Sequence, residues 1–173
     1  MKRFKNIFFF IFLIAFVVCE NEKKIVTIGG AVTESVFSLG LGQYVVAVDQ
    51  SSLLPESVNE LPQVGYIRAI SAEGVLSMYP DLILTTTDIG PPNVIPQIQS
   101  AGVDIEVYNS PYSFQNILEL IESIAIKLNV ENKGQAIIED LKNIDNEVNI
   151  KKSQYIRKPK IAFFMNPSKG SYN

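Results

Sequence analysis

Short apolar runs rich in β-branched residues recur along the chain, each closed by a turn residue or an acid. Lys24–Ile28 ends in Gly29-Gly30, and Tyr44–Val48 ends in Asp49. Asp81–Thr85 follows Pro80, and Asp104–Tyr108 completes the set. Runs of this length bounded by turn residues predict buried parallel strands. Helical patterns lie between them. Thr33–Leu39 predicts a helix with Glu34 in its first turn and Gly40 as its stop. Ser71 is placed to cap a second helix with Glu73 in its first turn, and Val94–Ala101 predicts a third, closed by Gly102. Farther on, Phe114, Ile117, Leu118, Ile121, Ala125 and Leu128 fall three and four apart. Ile137, Leu141, Ile144 and Val148 repeat that spacing after a break at Asn129–Lys133. Each of these longer helices packs by one stripe. The alternation predicts an α/β fold, a parallel sheet with helices on both faces.

The two ends read differently. Lys2, Arg3 and Lys5 precede an unbroken apolar run, Ile7–Val18, that is too short to span a bilayer, which needs about 20 residues. Residues 1–22 are expected to be an export signal, so the chain leaves the cytoplasm. Cys19, the one cysteine, sits at the end of that run. Two readings stand: it is acylated as a lipid anchor, or cleavage just after it removes the thiol. At the other end, residues 159–165 predict a new strand that begins a second domain and is followed by only residues 166–173.

Composition narrows the chemistry. Net charge is −3, with no basic patch among aromatics, so a nucleic-acid partner is not expected. The absence of histidine excludes His-ligated zinc and Ser-His-Asp catalysis. A remaining enzyme reading, a secreted enzyme of α/β type, has only Asp49 and Asp88 as acids near strand ends, and both read equally as ordinary loop residues. Gly29-Gly30 followed by Asp49 mimics a dinucleotide fingerprint but lacks its spaced glycines. The better reading is a helix N-terminus that edges a cleft and offers backbone N–H groups to a carboxylate.

Gly65-Tyr66-Ile67-Arg68 carries the most specific signal. For an arbitrary tyrosine, a ring packed at a domain edge is the default. Here the phenol stands two residues from a guanidinium, and a nearby cation favours the anionic phenolate. Phenolate is an axial ligand of haem iron. In an extended segment residues i and i+2 point to one side, which would bring Arg68 toward the Tyr66 oxygen; otherwise Arg68 is a solvated charge or pairs with a propionate.

Together with Thr27–Glu34, Leu61–Tyr66, Ser71–Ser77, Pro80–Leu84 and Asp88-Ile89-Gly90-Pro91-Pro92, this motif resembles the haem-binding proteins of bacterial ABC importers. The resemblance runs from about Lys24 to Phe164. It implies a two-lobed fold joined by one long helix, with haem in the cleft. Residues 24–130 would be the N-terminal lobe, 131–150 the connecting helix, and 159–173 the start of a truncated C-terminal lobe. It implies Tyr66 as the ligand of haem iron, with Arg68, Gly29, Gly30, Asp88 and Pro91 around the ligand. In some members a residue of the second lobe adds another iron ligand. The implied role is non-enzymatic: an extracytoplasmic protein, periplasmic or membrane-anchored, that hands haem to an inner-membrane permease. Glu34 or Glu73 would dock that permease. A siderophore or cobalamin carrier of the same fold and a fragment without independent function are the alternatives.

Overall fold

The computed structural model describes residues 23–154, together with Lys160 and Ala162. The expected export segment, Cys19 and all but those two residues of the strand expected at 159–165 lie outside the described residues. Four parallel strands form one sheet: β1 (Ile25–Thr27), β2 (Val45–Val48), β3 (Leu82–Thr86) and β4 (Asp104–Tyr108), in the order β2-β1-β3-β4. The parallel α/β class expected from the apolar runs is the class observed. Val26, Leu82, Ile83 and Leu84 are fully buried, as strands covered on both faces must be.

Among the described residues there are five α-helices: α1 (Gly30–Ser38), α2 (Ala72–Leu76), α3 (Val94–Ser100), α4 (Phe114–Lys127) and α5 (Glu131–Ser153). One face of the sheet packs Val32, Val36 and Leu39 of α1 with Leu120 and Ile124 of α4. The other packs Val64, Ile70, Val75 of α2 and Val94 and Ile98 of α3. Ser71 and Ser113 cap α2 and α4, each accepting from the backbone N–H three residues on.

Two expectations about local structure fail. The first helix starts at Gly30, not Thr33, so Glu34 lies beyond its first turn. Residues 67–69 form a 3-10 turn rather than an extended strand, so alternation does not set the directions of Tyr66 and Arg68.

Helix α5 packs on α4 at a close approach. A Cβ at Gly134 would lie 2.5 Å from the Ala125 Cβ, which cannot rotate away. Helix propensity alone would make Gly134→Ala stabilising by about 1 kcal/mol. Overpacking costs about 1–3 kcal/mol and reverses the sign. The expected result is a lower thermal midpoint for Gly134→Ala, read by circular dichroism; a raised midpoint would show that the two helices separate without cost.

Candidate functional site

The carboxyl ends of the four strands converge on one edge of the sheet, and an open pocket of about 240 Å³ lies there. Its walls come from every strand end. Gly29, Gly30 and Ala31 follow β1, and Ser51 follows β2. Thr86 ends β3 and Asp88 follows it, while Pro111 follows β4. Tyr66, Ile67 and Arg68 arch over them. Outer crevices of parallel sheets at the strands' carboxyl ends are where ligands bind in such folds. A typical small-molecule site measures about 300–1,000 Å³, so this surface is one wall rather than an enclosure.

The arch is held at three places. Beyond β2 the segment Pro62–Gly65 runs alongside the strand's tail: Val48 N–H donates to the Pro62 carbonyl at 3.0 Å, and Gln50 N–H to that of Gly65 at 2.8 Å. Gly65 then turns the chain with φ +116°. Beyond the 3-10 turn the Asp88–Pro92 loop grips it from the other side. Ile70 N–H donates to Gly90 O at 2.7 Å and Gly90 N–H to Ile67 O at 2.9 Å. A Cβ at Gly90 would stand 3.0 Å from the Arg68 carbonyl oxygen, a contact tight enough to push the two loops apart. Tyr66 is thus presented on a braced loop with its ring half exposed, 49%.

Beneath the arch sits Asp49, wholly buried. Its Oδ1 accepts from the Gly29 N–H at 2.8 Å and from the Ser52 hydroxyl at 2.6 Å. Its Oδ2 accepts from the Ser51 N–H at 2.9 Å and from the Ser51 hydroxyl. Ser52 continues through the Thr33 hydroxyl to that of Thr27, each link 2.8 Å. The residue read from sequence as an ordinary loop acid therefore fixes the β1–α1 turn to the tail of β2. A side chain at Gly29 would be strained: its φ is +106°, and a Cβ would press on Ile67 Cδ1 at 3.2 Å.

On the opposite side Asp88 accepts from the Tyr112 hydroxyl at 2.8 Å. Its carboxyl is held below the ordinary carboxylate value by the hydroxyls of Ser110 and then Tyr112, against burial, with a smaller pull from Arg68. The Ser110 hydroxyl also shares a 3.1 Å hydrogen bond with that of Thr87.

Of the residues expected at the site, Tyr66, Arg68, Gly29, Gly30 and Asp88 line one pocket. Pro91 does not; it is exposed, and its loop acts through Gly90. Sequence reasoning missed Ser51 and Pro111, which line the pocket, and the load on Asp49. The signal for Asp49 was present in Asp49-Gln50-Ser51-Ser52, an acid with hydroxyls two and three residues on, at a strand end. Among the described residues no cluster of three or more His, Cys, Asp or Glu side chains could hold a metal ion. No described helix is long and apolar enough to cross a membrane.

Comparison with known proteins gives a consistent result. The family described as "Periplasmic binding protein" matches residues 25–172. The structure titled periplasmic heme-binding protein RhuT from Roseiflexus sp. RS-1 superposes with a TM-score of 0.76 at 33% identity, over 79% of this chain and 52% of that one. The periplasmic heme-binding protein HutB of Vibrio cholerae gives 0.68 at 35% identity, over 80% and 52%. A curated relative, the vitamin B12-binding protein of Vibrio parahaemolyticus, is 24% identical over 84% of this chain and 51% of its own length. The chain spans about half the length of the proteins it matches.

Proposed function

The chain belongs to the periplasmic binding protein family, and from that premise we propose that it carries haem for an ABC importer, with Tyr66 as the iron ligand. Family members are substrate-binding components of transport, not enzymes, and they work outside the cytoplasm. The observation that carries the haem reading is Tyr66 itself: a half-exposed phenol on a braced loop over the sheet's carboxyl edge, in one pocket with Arg68. Iron(III) is a hard cation, and an oxygen anion suits it. Among the described residues no histidine, cysteine or methionine lines the pocket, and Tyr66 is the haem-ligand type it presents. Identity leans the same way: heme-binding structures share 25–35% with this chain, and vitamin B12-binding proteins 23–28%.

In this reading Tyr66 would hold the iron, Arg68 would favour the phenolate or pair with a propionate, and the floor at Gly29–Ala31 would meet the macrocycle's edge. Residues 24–130 serve as one lobe and 131–150 as the connecting helix. A second lobe, starting within 159–173, would form the facing wall. Residues 1–22 direct export, with Cys19 as the candidate for a lipid anchor. Glu34 and Glu73 are both exposed and remain the candidates for docking the permease.

Titration with hemin, cyanocobalamin and a ferric siderophore tests the ligand. Hemin is expected to bind at least about tenfold more tightly than either competitor, with the absorption spectrum of a high-spin, tyrosine-ligated haem. Tighter binding of cobalamin or of the siderophore would overturn the reading and assign the protein to the other carriers of this fold.

A further inference from the structure

Tyr112 has a ring that is 82% exposed and a hydroxyl that is not free. The hydroxyl donates at 2.8 Å to Asp88, which lines the pocket, and the residue before it, Pro111, lines the pocket too. The backbone behind the ring is also fixed: Ser110 N–H donates to the Thr87 hydroxyl at 3.2 Å. The hydroxyl end of the side chain is therefore tied to the pocket rim while most of the residue stays in water. Tyr66, on the arch, presents a second half-exposed ring to the same opening.

We infer that Tyr112 is a ligand-contacting residue of this pocket, its ring lying against a face of the bound macrocycle while Asp88 holds its hydroxyl. The inference rests on the haem reading above and adds a contact to it. A large flat apolar ligand gains most from an aromatic face, and a ring whose hydroxyl is already held has less freedom to lose on binding. The charges fit that orientation. Asp88, an anion at the Tyr112 side, disfavours a propionate there, whereas Arg68 offers one a partner at the arch. The hydrophobic body of the ligand, not its carboxylates, is left to meet the ring.

The test is hemin titration of the whole chain, comparing the wild type with Tyr112→Ala, Tyr112→Phe and Asp88→Ala. Tyr112→Ala is expected to weaken hemin binding roughly tenfold, the size of a lost aromatic contact with its burial. Tyr112→Phe keeps the ring and loses only the tether, so about a threefold loss is expected, matched by Asp88→Ala. In all three the tyrosine-ligated spectrum should keep its band positions, because Tyr66 is untouched. Thermal midpoints should stay near that of the wild type, since so little of the ring is packed. Unchanged affinity in Tyr112→Ala, beside a wild type that binds hemin through Tyr66, would overturn this inference alone. A shifted spectrum in Tyr112→Ala would overturn it as well, by making Tyr112 an iron ligand. A wild type that takes up no hemin would remove the haem reading and this inference with it.

Discussion

Replacing Tyr66 by phenylalanine is expected to abolish the tyrosine-ligated haem spectrum and to weaken hemin binding by about 100-fold or more. The substitution removes one oxygen and leaves the ring, so the half-exposed packing of the side chain is kept. The loop does not depend on that oxygen. It is held by the backbone bonds of Gly65, Ile67, Ile70 and Gly90. What is lost is the anionic donor to iron, and even indirect partners of a metal site commonly change affinity by about 10–100-fold. Circular dichroism should show no change in thermal midpoint, which separates the loss of a ligand from the loss of a fold. A Tyr66→Phe protein that retains the wild-type spectrum would show that another residue holds the iron.

The second large effect is expected at Asp49. Asp49→Ala leaves the buried Gly29 N–H without an acceptor and strips the Ser52 hydroxyl of one partner. Each buried donor stranded in this way costs about 1–3 kcal/mol, so a total of about 2–4 kcal/mol is expected. For a domain of this size that lowers the thermal midpoint by on the order of 10 °C. Because Gly29 and Ser51 line the pocket, hemin affinity should fall as well. Asp49→Asn keeps one acceptor for Gly29 but turns an amide toward the Ser51 N–H, so it should fall between the two. Differential scanning calorimetry of the three proteins settles the order; equal midpoints for Asp49→Ala and wild type would show that the network holds nothing.

Strands β1 to β3 were legible in the sequence because burial demands continuous apolar runs; β4, also expected to be buried, is an edge strand that stays partly exposed. Observed limits fall within a residue of the expected ones at Val45–Val48 and Leu82–Thr86. The start of α1 was not. Gly29 and Gly30 read as a turn because glycine is a poor helix former, yet Gly29 at φ +106° is the N-cap and Gly30 the first helical residue. The 3-10 turn at Ile67–Ala69 escaped because three residues carry no period. Tyr66 could be singled out through its local context with Arg68. Tyr112 could not, since its acceptor stands 24 residues away and only the adjacency of β3 and β4 brings the two together. Pairing between loops depends on sheet order, which no local pattern encodes.

Helix α1 is fastened at both ends. Its N-terminal turn is tied through Gly29 to Asp49, and its C-terminal end accepts a bond from Lys133 Nζ to the Leu39 carbonyl at 3.2 Å. Lys133 belongs to the first turn of α5, the longest described helix. At about 1.5 Å per residue, the nine residues of α1 make a strut about 14 Å long. One end borders the pocket and the other meets the first turn of α5, so a single rigid element joins the two.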